Sequence, residues 1–145
     1  MEPYAPFRPR AARWVAWTLL VLIVVAVTAL LVLSFTTLEQ YGWTDRILTV
    51  LFAGAGAVVV HRQAVVGAFP SPTGLRVRNL FVTTEVAWEQ VVRVNFAPGR
   101  PWVTLDLSDG DTLPVMAIQG ADGHHGMAEA RRLAALVALY EAPDS

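Results

Sequence analysis

The chain contains no cysteine and no lysine, and its charges are few and nearly balanced. Charged residues make up 16% of the 145 residues, all 11 basic residues are arginine, and the formal net charge is −1. The absence of cysteine excludes disulfides, thiolate metal sites and cysteine nucleophiles. The absence of a global positive charge gives no support to a nucleic-acid partner, and we expect none.

What the chain has in abundance is apolar sequence. Hydrophobic residues account for 54% of it and its mean hydropathy is +0.46, which is typical of membrane proteins. The run from Trp14 to Phe35 has 22 residues without a charge, a glycine or a proline. As a helix it is about 33 Å long, enough to cross a hydrocarbon core of roughly 30 Å. The sequence therefore predicts a transmembrane helix near the N-terminus.

Residues 1–13 precede this run and carry three prolines and three arginines. This composition predicts a flexible, basic, cytoplasmic tail. The alternative is a secretory signal peptide, whose apolar region has about 7–15 residues and ends in a small-residue cleavage site. The apolar run here is longer and ends in Leu33-Ser34-Phe35, which favours an uncleaved helix.

A second apolar run, Ile47 to Val60, has only 14 residues and is marginal as a span by itself. Extended from Trp43 to His61 it reaches a usable length, provided that Asp45 and Arg46 lie at one headgroup layer and Arg62 reaches the other. We therefore predict a transmembrane helical hairpin over residues 14–62. The alternative is a single span followed by an interfacial segment.

Three local features bear on the hairpin. Thr44 is expected to cap the second helix through its hydroxyl, and the small residues of Ala53–Ala57 are expected to let it approach the first helix closely. Six arginines lie before the first helix or after the second: Arg8, Arg10, Arg13, Arg62, Arg76 and Arg78. The connecting loop offers only Arg46, beside Glu39 and Asp45. The positive-inside rule then predicts a multi-pass plasma-membrane protein with both termini in the cytoplasm.

From residue 63 the hydrophobic period changes to that of strands. Alternating residues predict strands at 64–69, 75–82, 86–88, 92–96, 102–107 and 113–117, with turns at Ser71–Gly74, Pro98–Pro101 and Ser108–Asp111. Apolar residues between Met127 and Tyr140 follow helical spacing. These elements define a domain over 63–141, and Pro143 in the tail 142–145 is expected to end the last helix.

Short antiparallel strands followed by one amphipathic helix can form two near-orthogonal sheets with the helix closing an open end. The order of motifs resembles the small bacterial PH domains of actinobacterial membrane proteins, a family related to the low-molecular-weight protein antigen 6 type. The resemblance covers roughly residues 64–140 and rests on Gly74-Leu75-x-Val77-Arg78-Asn79, Val86-x-Trp88-x-x-Val91, Gly99-x-Pro101-Trp102, Leu105-x-Leu107-x-Asp109-Gly110 and Leu113-Pro114-x-Met116-Ala117-Ile118. It implies an α+β membrane protein with a PH-like antiparallel β-barrel after the helical hairpin, and it brings no functional residues with it.

Three patterns are weak candidates for a metal-binding or anion-binding site. His124-His125 beside Asp122 suggests a metal site, but exposed turn residues explain the pair better. The glycines of Gly120–Gly126 precede a helix, yet the segment lacks the lysine and the hydroxyl residue of a P-loop. The acidic residues between Asp106 and Asp111 suit a cation or, more simply, a solvated hairpin turn. We therefore predict no enzyme activity, no metal and no cofactor.

Six residues are candidates for contact with a partner or with lipid: Arg76, Arg78, Arg93, Arg100, Trp88 and Trp102. Strand spacing places Arg76 and Arg78 on one face pointing away from the core. Near an anionic leaflet each arginine is worth about 1 kcal/mol, although an ordinary solvated strand face accounts for them as well. The two tryptophans are either partner anchors or plugs at the rim of the barrel.

The leading functional hypothesis is a membrane-anchored, non-enzymatic module that presents its cytoplasmic barrel to an unidentified protein partner or to anionic lipid headgroups. The alternative is a structural accessory subunit of a larger membrane complex, which would pack through the helical hairpin and its small residues at 53–57.

Overall fold

The structure, a computed structural model, describes residues 2–141. They form two compact units, one of residues 12–64 and one that combines 2–11 with 65–141. In chain order the elements are α1 (Arg10–Thr36), α2 (Trp43–Ala64), β1 (Gly67–Ser71), β2 (Gly74–Arg78), β3 (Thr83–Ala87), β4 (Val91–Asn95), β5 (Trp102–Leu107), β6 (Thr112–Gln119) and α3 (His124–Glu141), with single 3₁₀ turns at Trp88–Gln90 and Gly120–Asp122.

The first unit contains two helices that are long and apolar enough to cross a membrane. α1 has 27 residues and α2 has 22, and only 6% of the most apolar window of each helix is buried. A core helix of a soluble protein would be mostly buried. The exposed apolar side chains instead form the kind of surface that a helix presents to lipid.

α1 and α2 form an antiparallel hairpin that is held at both ends. Near the connection, the Arg46 guanidinium donates to the backbone oxygen of Ser34 at 2.7 Å and to its hydroxyl at 3.1 Å. The same group lies 3.9 Å above the Phe35 ring. At the other end Trp17 and His61 meet edge to face, with ring centroids 6.1 Å apart. Arg46 thus satisfies a carbonyl at the end of α1 that has no partner within the helix.

One local prediction for this hairpin is wrong, and a second does not hold for the two glycines of its segment. The cap of α2 is not Thr44: the helix begins at Trp43, and the Asp45 carboxylate accepts the N–H of Gly42 at 3.0 Å. The two glycines of the 53–57 segment do not face α1, since a Cβ built on Gly54 or Gly56 would meet nothing within 4 Å. Their small size is therefore not required by packing within the described chain.

The second unit contains two three-stranded antiparallel sheets. Sheet A has the order β1-β2-β3, and sheet B has the order β4-β5-β6. Together with the helices they confirm the α+β class, but the two sheets do not close into the predicted barrel. Within residues 2–141 no ladder joins sheet A to sheet B, and the chain passes from β3 to β4 through the 3₁₀ turn at Trp88–Gln90. The sheets are linked by a side chain instead: Asn79 donates to Pro114 O at 2.7 Å and accepts from Met116 N at 3.2 Å.

The predicted turns are confirmed. Ser71 pairs with Gly74 across the β1–β2 turn, and Gly99 and Gly110 have φ of +84° and +92° in the two turns that flank β5. These values are strained for other residue types, which is why glycine marks both turns in the sequence. β1 begins later than predicted because α2 continues to Ala64, and the third strand, Thr83–Ala87, ends before Trp88 rather than including it.

The core lies between the two sheets and α3. Its fully buried side chains include Leu75 and Val77 from sheet A, Val103 and Leu105 from sheet B, and Leu133 from α3. α3 begins at His124, three residues before the first apolar position that predicted it. The predicted stop at Pro143 lies outside the described residues.

The N-terminal segment is not a flexible tail, and this is the largest departure from the sequence prediction. Phe7 is fully buried, and it exchanges two backbone hydrogen bonds with Ala68 of β1, at 2.8 and 3.0 Å. The Arg132 guanidinium lies 3.9 Å above the Phe7 ring. The hydroxyls of Tyr4 and Tyr140 are hydrogen bonded. Residues 4–9 are held here because Phe7 fills the core while pairing an otherwise open edge of β1.

The end of this segment is also fixed. The Asp122 carboxylate accepts the backbone N–H groups of Arg10 at 3.0 Å and of Ala11 at 2.9 Å. A carboxylate at the first turn of a helix satisfies free N–H donors and interacts favourably with the helix dipole. Residues 10–13, predicted as tail, therefore belong to α1.

Candidate functional site

The outward face of sheet A carries the two arginines of β2, and the structure treats them differently. Arg76 donates from Nε to Glu85 Oε1 at 2.6 Å across the β2–β3 ladder. Both side chains are exposed, so this pair contributes at most about 1 kcal/mol to stability. The ion pair matters for the surface charge, because the negative charge of Glu85 offsets the positive charge of Arg76.

Arg78 belongs to a second group on the same face. Its guanidinium lies 5.3 Å from the centroid of the Phe69 ring, and the Arg8 guanidinium lies 5.8 Å from the same centroid. Stacking on an aromatic ring is weakly attractive, about 0.5–1 kcal/mol at an exposed site. We call Arg8, Phe69 and Arg78 the basic cluster.

The basic cluster carries uncompensated charge. Within residues 2–141 no carboxylate oxygen lies within 4.0 Å of Arg8 or Arg78. Two guanidiniums that share one aromatic ring, without an acidic partner, form a local positive patch on a nearly neutral chain. Such a patch suits a ligand with dispersed negative charge, since no side chain or backbone oxygen of the described residues accepts a hydrogen bond from either guanidinium.

Arg8 is the functional candidate that the sequence analysis missed. It was assigned to a flexible tail, although Phe7 and the flanking prolines Pro6 and Pro9 resemble a short extended segment. The bridge between Phe7 and Ala68 places Arg8 beside β1. The available signal was one apolar aromatic residue among prolines, which local periodicity does not distinguish from a loop.

The remaining arginine candidates lie elsewhere. Arg93 is exposed on β4 of sheet B, where its register partner on β5 is Asp106. Arg100 is exposed in the β4–β5 turn. The four arginines proposed from sequence are therefore divided between the two sheets, and only Arg78 belongs to the basic cluster.

The structure supports the plug interpretation for Trp88 over the partner-anchor one. Trp88 is 3% exposed, its indole N–H donates to Ser71 O at 2.8 Å, and it stacks on Tyr140 with ring centroids 5.3 Å apart. A buried tryptophan with its one donor satisfied is a core residue. Trp102, half-buried at the start of β5 opposite Gln119, remains a candidate for contact.

The weaker patterns do not assemble into a metal or anion site within the described residues. No group of three histidine or acidic side chains is close enough to share an ion in that part of the chain. Asp106 accepts from Asn95 at 2.7 Å, and Asp109 accepts the N–H of Asp111 at 3.0 Å. Asp122 is occupied by the start of α1, and Gly126 is packed so closely that an added Cβ would lie 2.2 Å from Gln119 O.

A groove of about 450 Å³ also lies along sheet A, beside the pair formed by Arg76 and Glu85. Those two residues are the titratable side chains among its described lining. The Ser71 hydroxyl lies at one end, 3.0 Å from Gly74 O and 3.2 Å from the Thr73 hydroxyl. No base contacts either hydroxyl, so the described groove lacks the paired nucleophile and base of covalent catalysis.

Comparison with known proteins identifies the domain. Residues 71–135 match the family model of the bacterial PH domain. This part of the chain is a bacterial PH domain. It contains β2 to β6 and most of α3, and the family resemblance proposed from the sequence is confirmed.

Curated relatives of this bacterial PH-domain chain occur in mycobacteria. An uncharacterised protein of Mycobacterium bovis and one of Mycobacterium tuberculosis are each 36% identical to it over 97 residues. The alignment covers 67% of this chain and 60% of each relative, so the chain spans under two thirds of their length. No solved structure matches it significantly. PH-like domains are interaction modules in general and are generally non-catalytic, which supports an interaction role for this domain.

Proposed function

We propose that this chain is a membrane-anchored, non-enzymatic module that holds its PH domain at the cytoplasmic surface of the plasma membrane, where the domain binds anionic lipid headgroups. α1 and α2 serve as a transmembrane hairpin with both chain termini in the cytoplasm. The basic cluster of Arg8, Phe69 and Arg78 is the binding surface.

One observation carries the proposal: the basic cluster lies at the end of sheet A where the chain connects to both apolar helices. Gly67, which pairs with Arg78, follows the last residue of α2 by three positions. Arg8 precedes the first residue of α1 by two positions. Three residues span at most about 10 Å, so a bilayer that contains the helices lies within reach of both arginines.

The binding free energy expected from the basic cluster is small, which suits a ligand present at high local concentration. Two arginines near an anionic surface contribute about 1 kcal/mol each, which is too little for a soluble domain to stay bound. A tether raises the effective concentration of headgroups around the domain, so weak contacts become sufficient. Binding of a protein partner would instead need an aromatic anchor at the surface. Trp88 is in the core, so of the two tryptophans only the half-buried Trp102 could serve.

Membrane setting and lipid binding are tested separately. A reporter fused after Ser145 is expected to be active only in the cytoplasm, and activity on the other side would contradict the topology.

Full-length protein in nanodiscs containing a photoactivatable phosphatidylglycerol is expected to form crosslinks in the β1–β2 segment. Arg8→Ala with Arg78→Ala, or high salt, should abolish them, whereas Arg93→Ala on sheet B is the matched control. Crosslinks that survive the double substitution would refute the basic cluster as the site.

A second candidate function is an accessory subunit of a larger membrane complex. It is favoured by Gly54 and Gly56, which face open space on α2 although small residues of this kind usually allow close helix contacts. Gly54→Ile should leave this chain folded and remove a partner that co-purifies in mild detergent, while Val58→Leu, at another exposed apolar position, should retain it. If nothing co-purifies with the wild-type chain, this candidate fails.

A further inference from the structure

The turn between β2 and β3 exposes large apolar side chains at a place where hairpin turns carry polar residues or glycine. Asn79 N–H donates to Val82 O at 2.9 Å, which leaves Leu80 and Phe81 as the central residues. Phe81 is 67% exposed and Val82 is 62% exposed. We call Leu80–Val82 the apolar tip.

The geometry of the turn does not require these residues. Within the described chain no residue other than glycine has a positive φ, so the tip is built without the strained conformation that selects glycine or asparagine. Nor is the tip part of the core, because Phe81 and Val82 leave most of their surface uncovered. Residues that depart from the usual composition of a turn, without stabilising the fold, commonly mark a functional position.

The base of the apolar tip is held firmly. The side chain of Asn79 bridges to both Pro114 O and Met116 N of β6. Because the amide uses its donor and its acceptor at once, the end of β2 is fixed to sheet B. The tip is therefore presented at a defined position, which lowers the entropy lost when it is bound.

The tip also lies at the tethered end of the domain. Arg78 immediately precedes the turn and pairs with Gly67, at the start of β1. With about 3.3 Å per strand residue, the tip extends less than about 10 Å beyond Gly67. The connection from Gly67 back to the end of α2 has the same reach. Apolar tip, basic cluster and both connections to the apolar helices thus occur at one end of sheet A.

We propose that the apolar tip inserts into the boundary between headgroups and acyl chains of the bilayer that anchors α1 and α2, while Arg8 and Arg78 bind the anionic headgroups around it. This inference rests on the proposed function. The occupant is a lipid surface because the patch combines two chemistries that such a surface supplies together: apolar burial a few ångströms deep and negative charge at its rim. Phe81 and Val82 provide the first, and the basic cluster provides the second.

The absence of native cysteine makes a direct depth measurement available. A spin label is attached to the full-length chain at Val82→Cys and the protein is placed in nanodiscs of phosphatidylcholine with phosphatidylglycerol. Accessibility to lipid-soluble oxygen is then compared with accessibility to a water-soluble nickel chelate. Thr73→Cys, exposed in the turn at the opposite end of sheet A, is the matched control. Val24→Cys in α1, which is exposed and apolar, reports whether the helix is in lipid.

The expected result is a ratio of oxygen to nickel accessibility several-fold higher at position 82 than at position 73. Phe81→Ser should reduce the ratio at 82 to that at 73. Arg78→Ala should lower the ratio of inserted to free tip about fivefold, the loss expected for one arginine.

Three outcomes would overturn the inference, and they differ in whether the membrane-anchored function is also refuted. If position 24 is in lipid but position 82 is as exposed to nickel as position 73, the anchored module stands and the inserted tip is refuted. If position 24 is itself in water, the membrane-anchored function fails and the inference falls with it. Protection of position 82 in native membranes but not in nanodiscs would show that a protein, not lipid, covers the tip.

Discussion

Phe7 offers the sharpest test of the fold, because it lies 61 positions before its strand partner Ala68 and its local sequence predicts only a flexible tail. We consider Phe7→Ala. The ring is fully buried, and the Arg132 guanidinium contacts it at 3.9 Å. Removing a buried phenylalanine costs about 3–5 kcal/mol. Small domains have total unfolding free energies of about 5–15 kcal/mol, so this single change should remove a large part of the stability of the PH domain.

The assay must report on the PH domain in full-length protein whose two apolar helices are kept in solution by a lipid nanodisc. Hydrogen exchange of the β5 amides, in full-length protein in nanodiscs, measures the free energy of opening the core. A loss of 3 kcal/mol corresponds to exchange faster by about a hundredfold or more. The neighbouring exposed residue provides the control, since Arg8→Ala removes only a weak contact with Phe69 and should change exchange by less than about fivefold.

A change in β5 exchange of less than about threefold in Phe7→Ala, the range of ordinary surface substitutions, would contradict a stabilising role for the buried ring. That result would mean that residues 4–9 do not contribute to the core in solution. The basic cluster would then lose Arg8, and only Arg78 would remain beside Phe69.

Two further predictions concern single side chains. Asn79→Ala should cost about 1–3 kcal/mol, because it leaves Pro114 O and Met116 N without their partner; faster exchange in β6 would show it, and unchanged exchange at Met116 would contradict the inter-sheet link. The hydrogen bond with Tyr4 raises the pKa of Tyr140 above its ordinary value of 10.0. A proton held more tightly in the folded state stabilises it below the unfolded pKa, and this contribution is lost as pH rises through the folded pKa. The decline in domain stability above pH 10 should therefore be smaller in Tyr4→Phe, and an identical decline in both proteins would contradict the coupling.

The sequence alone determined the features that depend on neighbours along the chain. Length and hydropathy predicted both apolar helices, because a lipid-exposed helix needs a continuous apolar run. Alternation and turn residues predicted the six strands and the turns between them, because side chains alternate across a sheet and Gly99 and Gly110 are needed where φ is positive. The order of these motifs was enough to identify the bacterial PH domain.

Only the tertiary structure decided which residues share the candidate site. Arg8 and Arg78 meet over Phe69 because residues 4–9 add to the edge of β1, a contact between positions far apart in the sequence. Trp88 left the list of contact candidates because Tyr140 and Ser71 O enclose it. Local periodicity does not predict contacts between residues far apart in the sequence. The free energy that stabilises these contacts comes from burying distant segments against each other. The same burial joins the N-terminal segment to the PH domain, although the chain between them passes through both apolar helices.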